Sequence, residues 1–258
     1  MNRIAGAFAD KKAFIPFITA GDPNLEITEK LVPAMAEAGA ALVEIGIPFS
    51  DPVAEGVVIQ KADERTLKAG TTTDKIFASV KRIREKTEVP LAFTTYMNPI
   101  YTYGTERFLA NCRECGIDAL IVPDVPFEEK AELVPYCKQY GITLISMLAS
   151  TSRERIRMIA KEAEGFLYCA SSMGVNGACS ENNTELKQIL DVVKEEKQIP
   201  CAIGFGISTA EQAIEISEIA DGVSAGSAIV KLLEEYGEFA VEPVRAFVAS
   251  IVKAVAAV

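Results

Sequence analysis

Two glutamates, Glu44 and Glu55, are the side chains of this chain whose types and setting could move protons within one site. Glu44 sits in the run Ala41-Leu-Val-Glu-Ile45, flanked by Val43 and Ile45, where an ionised carboxylate is costly to bury. It either faces a catalytic mouth or is a buried glutamate paired with a cation, and no Arg or Lys is adjacent in sequence. The segment Pro48-Phe-Ser-Asp-Pro-Val-Ala-Glu-Gly56 follows and supplies Asp51 and Glu55. Its two prolines and Gly56 stiffen and turn the chain, so that Glu55 could fold back toward Glu44; on spacing alone it could equally be a solvated loop residue. Two carboxylates in different surroundings can divide acid and base duties. The chain has no histidine. Serine or cysteine nucleophiles activated by imidazole are therefore excluded, and acid/base work near neutral pH falls to carboxylates, Lys, Tyr or thiols.

A second signal concerns anions. Gly204-Phe-Gly-Ile-Ser208 and Gly226-Ser227 each follow an apolar run, and the latter opens a helical stretch from Ala228 to Glu235. Glycines allow close backbone approach, and amides at a helix N-terminus complement a phosphate. The bland alternative is a pair of ordinary turns. Gly174-Val-Asn-Gly177 adds glycines that suit a loop closing over a substrate, or an uninvolved surface loop.

Cys112 and Cys115 have the C-x-x-C spacing of redox and zinc sites. There is no second C-x-x-C, and without histidine zinc lacks four plausible ligands. The stretch Glu106 to Gly116 reads as a helix stopped by Gly116, in which both cysteines are small apolar residues. The remaining cysteines, at 137, 169, 179 and 201, are expected to be reduced thiols.

The elements that must position these residues follow a recurring pattern: an amphipathic helix, a Gly or Ala stop, then a short branched apolar run. The runs are Ala13 to Thr19, Ala41 to Ile45, Leu91 to Tyr96, Ala119 to Val122, Thr143 to Met147, Phe166 to Cys169, Cys201 to Gly204 and Val223 to Ala225. Eight nearly continuous apolar strands alternating with helices predict an α/β fold, a single (β/α)8 TIM barrel, with chemistry on its strand-to-helix loops. The expectation adds an extra N-terminal helix and extended loops after strand two (Ile47 to Gly56) and strand six (Ser171 to Asn183). No Pro-, Gly- or Ser-rich linker divides the chain, so residues 1–258 are expected to form one domain.

Composition agrees. With 258 residues, 49% of them hydrophobic, one large core can form. A net charge of -10, with no basic run, argues against nucleic acid as a partner. The apolar stretch Ala13 to Ala20 is too short to cross a bilayer and lacks signal-peptide flanks, so a soluble cytoplasmic protein is expected.

Together the motifs resemble one family closely, the tryptophan synthase α subunits. The resemblance rests on Pro16-Phe-Ile-Thr-Ala-Gly-Asp-Pro23, Val43-Glu-Ile-Gly-Ile-Pro-Phe-Ser-Asp-Pro52, Tyr96-Met-Asn-Pro99, Pro123-Asp-Val-Pro126, Gly174-Val-x-Gly177, Gly204-Phe-Gly-Ile-Ser208 and Gly226-Ser-Ala-Ile229. It implies a carbon–carbon lyase that cleaves indole-3-glycerol phosphate to indole and glyceraldehyde 3-phosphate in tryptophan biosynthesis, without a cofactor of its own. It implies a β-subunit partner that carries pyridoxal phosphate and receives indole, in an α2β2 heterotetramer, docked on the catalytic face that includes Asp51 and the Asp124 to Glu128 loop. Glu44 matches the glutamate that handles the proton at indole C3. Glu55 stands where an aspartate usually stabilises the positive ring nitrogen. Tyr168 would line the site, Phe17, Tyr96 and Leu120 or their neighbours would form an apolar slot for the indole, and Gly177, Gly206, Ile207, Gly226 and Ser227 would form the phosphate cradle.

Three residues depart from the family pattern. Glu55 is one methylene longer than aspartate, Asn176 replaces the closing-loop threonine that partners that acid, and Val57 replaces a proline. A longer acid facing an amide can keep a hydrogen bond across the closed loop, and retained activity is the reading adopted. The alternatives are a catalytically weakened barrel that binds ligand and activates its partner, and a stand-alone indole-releasing lyase.

Overall fold

A computed structural model describes residues 3–9, 12–148, 152–170, 179–204 and 206–258, with the backbone alone described for 179–183. Nine strands occur among these residues: β1 (Ala13–Thr19), β2 (Val43–Gly46), β3 (Leu91–Thr94), β4 (Ala119–Ile121), β5 (Thr143–Leu144), β6 (Ser146–Leu148), β7 (Leu167–Ala170), β8 (Cys201–Gly204) and β9 (Gly222–Ala225). The helices between them are α1 (Leu25–Glu37), α2 (Val57–Lys68), α3 (Thr73–Arg84), α4 (Met97–Tyr103), α5 (Thr105–Cys115), α6 (Val134–Tyr140), α7 (Arg153–Glu162), α8 (Cys179–Glu196), α9 (Ala210–Ser217), α10 (Ser227–Tyr236) and α11 (Val241–Val255).

The spatial order is β5-β4-β3-β2-β1-β9-β8-β7-β6, with parallel pairing throughout. The two end strands are neighbours in sequence, separated only by Ile145, whose N–H still bonds the Leu120 carbonyl at 2.9 Å. β5 and β6 are thus the two halves of one predicted strand: the first half pairs with β4 and the second with β7. The sheet closes through this split strand into the eight-stranded TIM barrel that the sequence predicts.

Side chains alternate between two layers. Val43, Ile45, Leu91, Phe93, Leu120, Cys169 and Ile203 pack outward under the helices, while Ala13, Ile15, Leu42, Ala92, Ala119, Ile121, Ile145, Phe166, Tyr168 and Ala202 fill the interior. Both faces are apolar because both are buried. The expected N-terminal helix is a 3-10 helix, Arg3–Phe8. It plugs the N-terminal end of the barrel: Ile4 and Ala7 join the interior cluster, and the Phe8 ring lies 5.2 Å from Phe166. Arg3 and Arg84 close this end by pairing with buried Asp118, at 3.1 and 2.7 Å.

The opposite, C-terminal end stays open. The loop after β2 runs from 47 to 56, as expected. The loop after β7 differs: α8 begins at Cys179, so its first residues are helical where the sequence suggested loop. Helix α5 ends as predicted, with Gly116 in the left-handed conformation at φ 84°. Cys112 and Cys115 on α5 are buried in the outer core, where desolvation pushes both thiols up, Cys115 to about 12. They act as core residues. The other described cysteines, at 137, 169 and 201, are likewise free and buried. Among the described residues no helix is long and apolar enough to cross a membrane.

Candidate active site

β2 delivers Glu44 to the interior because residues of one parity along a strand share a face. Its register partners are Phe17 on β1 and Ala92 on β3, and small Ala92 leaves room for the carboxyl group. Glu44 is 3% exposed. Thr94 Oγ1 donates to its Oε2 at 3.3 Å, and Ser224 Oγ donates to its Oε1 at 3.1 Å. Burial raises its pKa to about 8; the two hydroxyl bonds pull it down, and the nearby charge of Glu55 pushes it up. Glu44 is therefore mostly protonated at neutral pH and can donate a proton.

Glu55 is half-buried on the loop between β2 and α2, and desolvation raises its pKa to about 7. The loop is folded back by specific bonds. Glu55 N–H bonds the Pro52 carbonyl at 3.1 Å, Ala54 N–H donates to the Tyr96 hydroxyl at 3.0 Å, and Gln60 Nε2 donates to the Glu55 carbonyl at 2.7 Å. The Phe49 ring lies 5.5 Å from Tyr96. A third acid, Asp63 on α2, is 5% exposed. It accepts from Thr19 Oγ1 at 3.4 Å and from the Phe49 backbone, and burial together with the Glu55 charge raises its pKa to about 7.

Both glutamates line one cavity of about 250 Å³. Phe17, Ile59, Ile121 and Met147 give it apolar walls, and Tyr168 stands beside Ser224 and Glu44. Gly204 has a steric reason to be glycine, since a Cβ there would overlap the Tyr168 hydroxyl. Gly206, Ile207, Gly226 and Ser227 also line the cavity. The two adjacent helix starts differ in kind. α9 satisfies its own amides with a capping box from Thr209 and Gln212, whereas α10 opens at Gly226 with no side-chain cap. Its first amides have no side-chain acceptor and suit an anion.

The model of the tryptophan synthase alpha chain family matches residues 6–256. The chain belongs to this family. It is 47% identical to the tryptophan synthase alpha chain of Lacticaseibacillus casei over 233 residues, covering 90% of this chain and 88% of that one. It is 41% identical to that of Thermoanaerobacter sp. (strain X514) over 258 residues, covering 97% and 98%. Among solved structures, tryptophan synthase subunit alpha of Legionella pneumophila str. Paris superposes with a TM-score of 0.90 at 34% identity over 100% of both chains. A Pyrococcus furiosus chain described in connection with mutual activation of the tryptophan synthase a2b2 complex superposes with 0.85 at 33%, covering 94% of this chain and 98% of that one.

Of the positions that resemblance to the tryptophan synthase α subunits picked out, Phe17, Glu44, Glu55, Tyr168, Gly206, Ile207, Gly226 and Ser227 converge on the one cavity. Leu120 does not. It points outward into the helix-covered core, and its neighbour Ile121 lines the cavity instead. Tyr96 is buried behind the wall, where its hydroxyl holds the Glu55 loop. Asn176 and Gly177 lie outside the described residues. Sequence reasoning missed Thr94, Ser224, Ile59, Met147 and Asp63. The available signal was polarity out of place: Thr94 and Ser224 interrupt apolar strands, and Asp63 occupies the buried stripe of α2 beside Ala62 and Thr66.

Proposed function

We propose that this chain is the α subunit of a tryptophan synthase, a lyase that cleaves indole-3-glycerol phosphate to indole and glyceraldehyde 3-phosphate. The observation that carries this reading is a glutamate buried in the barrel interior and a half-buried one on the loop above it lining one apolar cavity, with an uncapped helix start on the same wall. The indole ring would lie between Phe17, Ile59, Ile121 and Met147. The phosphate would take the amides at Gly226 and Ser227, with Gly206 and Ile207 alongside.

In this pose protonated Glu44 gives its proton to indole C3, and positive charge develops on the ring nitrogen. Ionised Glu55 stabilises that charge, as fixed charges do when aimed at a developing one. The C–C bond then breaks, its electrons restoring the indole ring. The adjacent side-chain hydroxyl loses its proton to the carboxylate left on Glu44 and becomes the aldehyde of glyceraldehyde 3-phosphate. Both protons pass through Glu44, one out to indole C3 and one back from the substrate hydroxyl, so the step needs no cofactor on this chain.

A β-subunit partner is part of the proposal, supported by the family and by the a2b2 assembly described for the Pyrococcus furiosus relative; an α2β2 heterotetramer and a cytoplasmic location follow as its finer form. Asp51 and the Asp124 to Glu128 loop lie on the open end of the barrel, where Asp124 accepts from Met97 N–H and Glu128 pairs with Arg155. The test is indole release from indole-3-glycerol phosphate by the purified chain, with and without a β subunit. A low rate alone that rises several-fold with the partner, and is abolished by Glu44→Gln, is the expected result. Full activity in isolation would instead make the chain a stand-alone lyase. Binding with no turnover in either condition would leave a barrel that only activates its partner.

A further inference from the structure

Glu44 has two carboxyl oxygens and two hydroxyl neighbours, one to each. Ser224 Oγ reaches Oε1 from β9 at 3.1 Å, and Thr94 Oγ1 reaches Oε2 from β3 at 3.3 Å. β3 lies beside β2, whereas β9 reaches it only across β1, so the carboxyl group is gripped from two directions across the barrel interior. Both hydroxyls are buried, and neither belongs to an apolar strand pattern. Tyr168 lines the same cavity wall as Ser224. The titratable groups facing Glu44 are Tyr168 from β7 and Glu55 from the β2–α2 loop, and no Lys or Arg is among the described residues lining the cavity.

We propose that Thr94 and Ser224 are positioning residues for Glu44: they clamp its two oxygens so that the group faces the substrate ring and can alternate between acid and base. This rests on the lyase reading above and deepens it. A buried carboxyl group with no donors is held neutral, because nothing compensates its charge once the proton has left. Such a group is a weak acid toward indole C3. Two hydroxyl donors stabilise the carboxylate without presenting a charge that would lock it ionised, which suits a residue that must give a proton and take one back within a single turnover.

The test uses the full chain with its β subunit, indole-3-glycerol phosphate as substrate, and the variants Thr94→Val, Ser224→Ala and both together. The double variant is expected to keep KM within about twofold and lower kcat about tenfold. The basic limb of its pH–rate profile should move up by about one pH unit or more, each single variant giving a smaller shift and Thr94→Ser leaving the limb in place. A purely structural role would lower kcat at all pH values and leave the limb where it is, and that result overturns the proposal. Infrared titration of the Glu44 carboxyl stretch, assigned by its loss in Glu44→Gln, reads the same proton affinity without turnover. A carboxyl titration unmoved by the double variant overturns the clamp even if activity falls. Indole release surviving in Glu44→Gln would remove the lyase assignment of Glu44, while the infrared shift would still decide the clamp.

Discussion

The two glutamates divide their duties through surroundings, since their side chains are chemically the same. Glu44 is sealed within the barrel and held toward its protonated form, with a pKa near 8, while Glu55 on the loop sits near 7. An acid that must start protonated and a partner that must start ionised give a bell-shaped dependence of kcat/KM on pH. The optimum is expected between about 7 and 8, the acidic limb following Glu55 and the basic limb following Glu44. Glu55→Gln keeps the shape of the side chain and removes its charge. It should lower kcat about 100-fold and erase the acidic limb while the basic limb remains. An acidic limb that persisted in this variant would assign it to another group, with Asp63 the nearest candidate.

At the scale of elements, the loop between β2 and α2 decides where Glu55 points, and two side chains test it. Tyr96→Phe keeps the ring against Phe49 but removes the acceptor for Ala54 N–H. Loss of that bond is expected to cost about 0.5–1.5 kcal/mol, read by chemical denaturation, with a several-fold rise in KM as the loop loosens. Val57 is the first residue of α2 and 64% exposed. A first-turn amide has no intrahelical acceptor, and proline suits that position. Val57→Pro should therefore stabilise the chain by about 0.4–1 kcal/mol and slow proteolytic nicking between 47 and 56; destabilisation would mean that the loop needs the freedom valine gives it. Strands and loops of this kind were legible in the sequence because branched apolar runs after Gly or Ala stops mark them. The parity of each strand was not. Where both faces are buried, hydrophobicity carries no contrast between them, which is why Leu120 was expected in the slot that Ile121 occupies. Nor was the break at Ile145 legible, since it arises from the fifth strand serving two neighbours at different heights. The roles of Tyr96 and Asp63 depend on loop contacts that local sequence does not encode.

The barrel as a whole carries a consequence of enclosing acids at one end. Glu44 and Asp63 are buried and Glu55 is half-buried, and all three have pKa values raised to between about 7 and 8 in the folded chain. In the unfolded chain they ionise near 4, so between pH 6 and 9 the folded state holds more protons than the unfolded one, and stability must fall as pH rises. These acids favour folding fully below their unfolded pKa, and that contribution is lost as pH climbs through 7 to 8. The opposite group of acids, including Glu29, Glu88 and Glu128, is held low by arginine partners. Their contribution is lost only as pH drops through about 4, outside this window. The melting temperature is therefore expected to decline from pH 6 to pH 9 by several degrees, on the order of a few kcal/mol in stability. Glu44→Gln together with Asp63→Asn keeps hydrogen-bond acceptors for Ser224 and for the Phe49 amide while removing both ionisations. This double variant should melt with a flatter pH profile and exceed the parent at pH 9, at the cost of turnover. A slope as steep as the parent's would show that the buried acids at the barrel mouth are not what sets stability in the alkaline range.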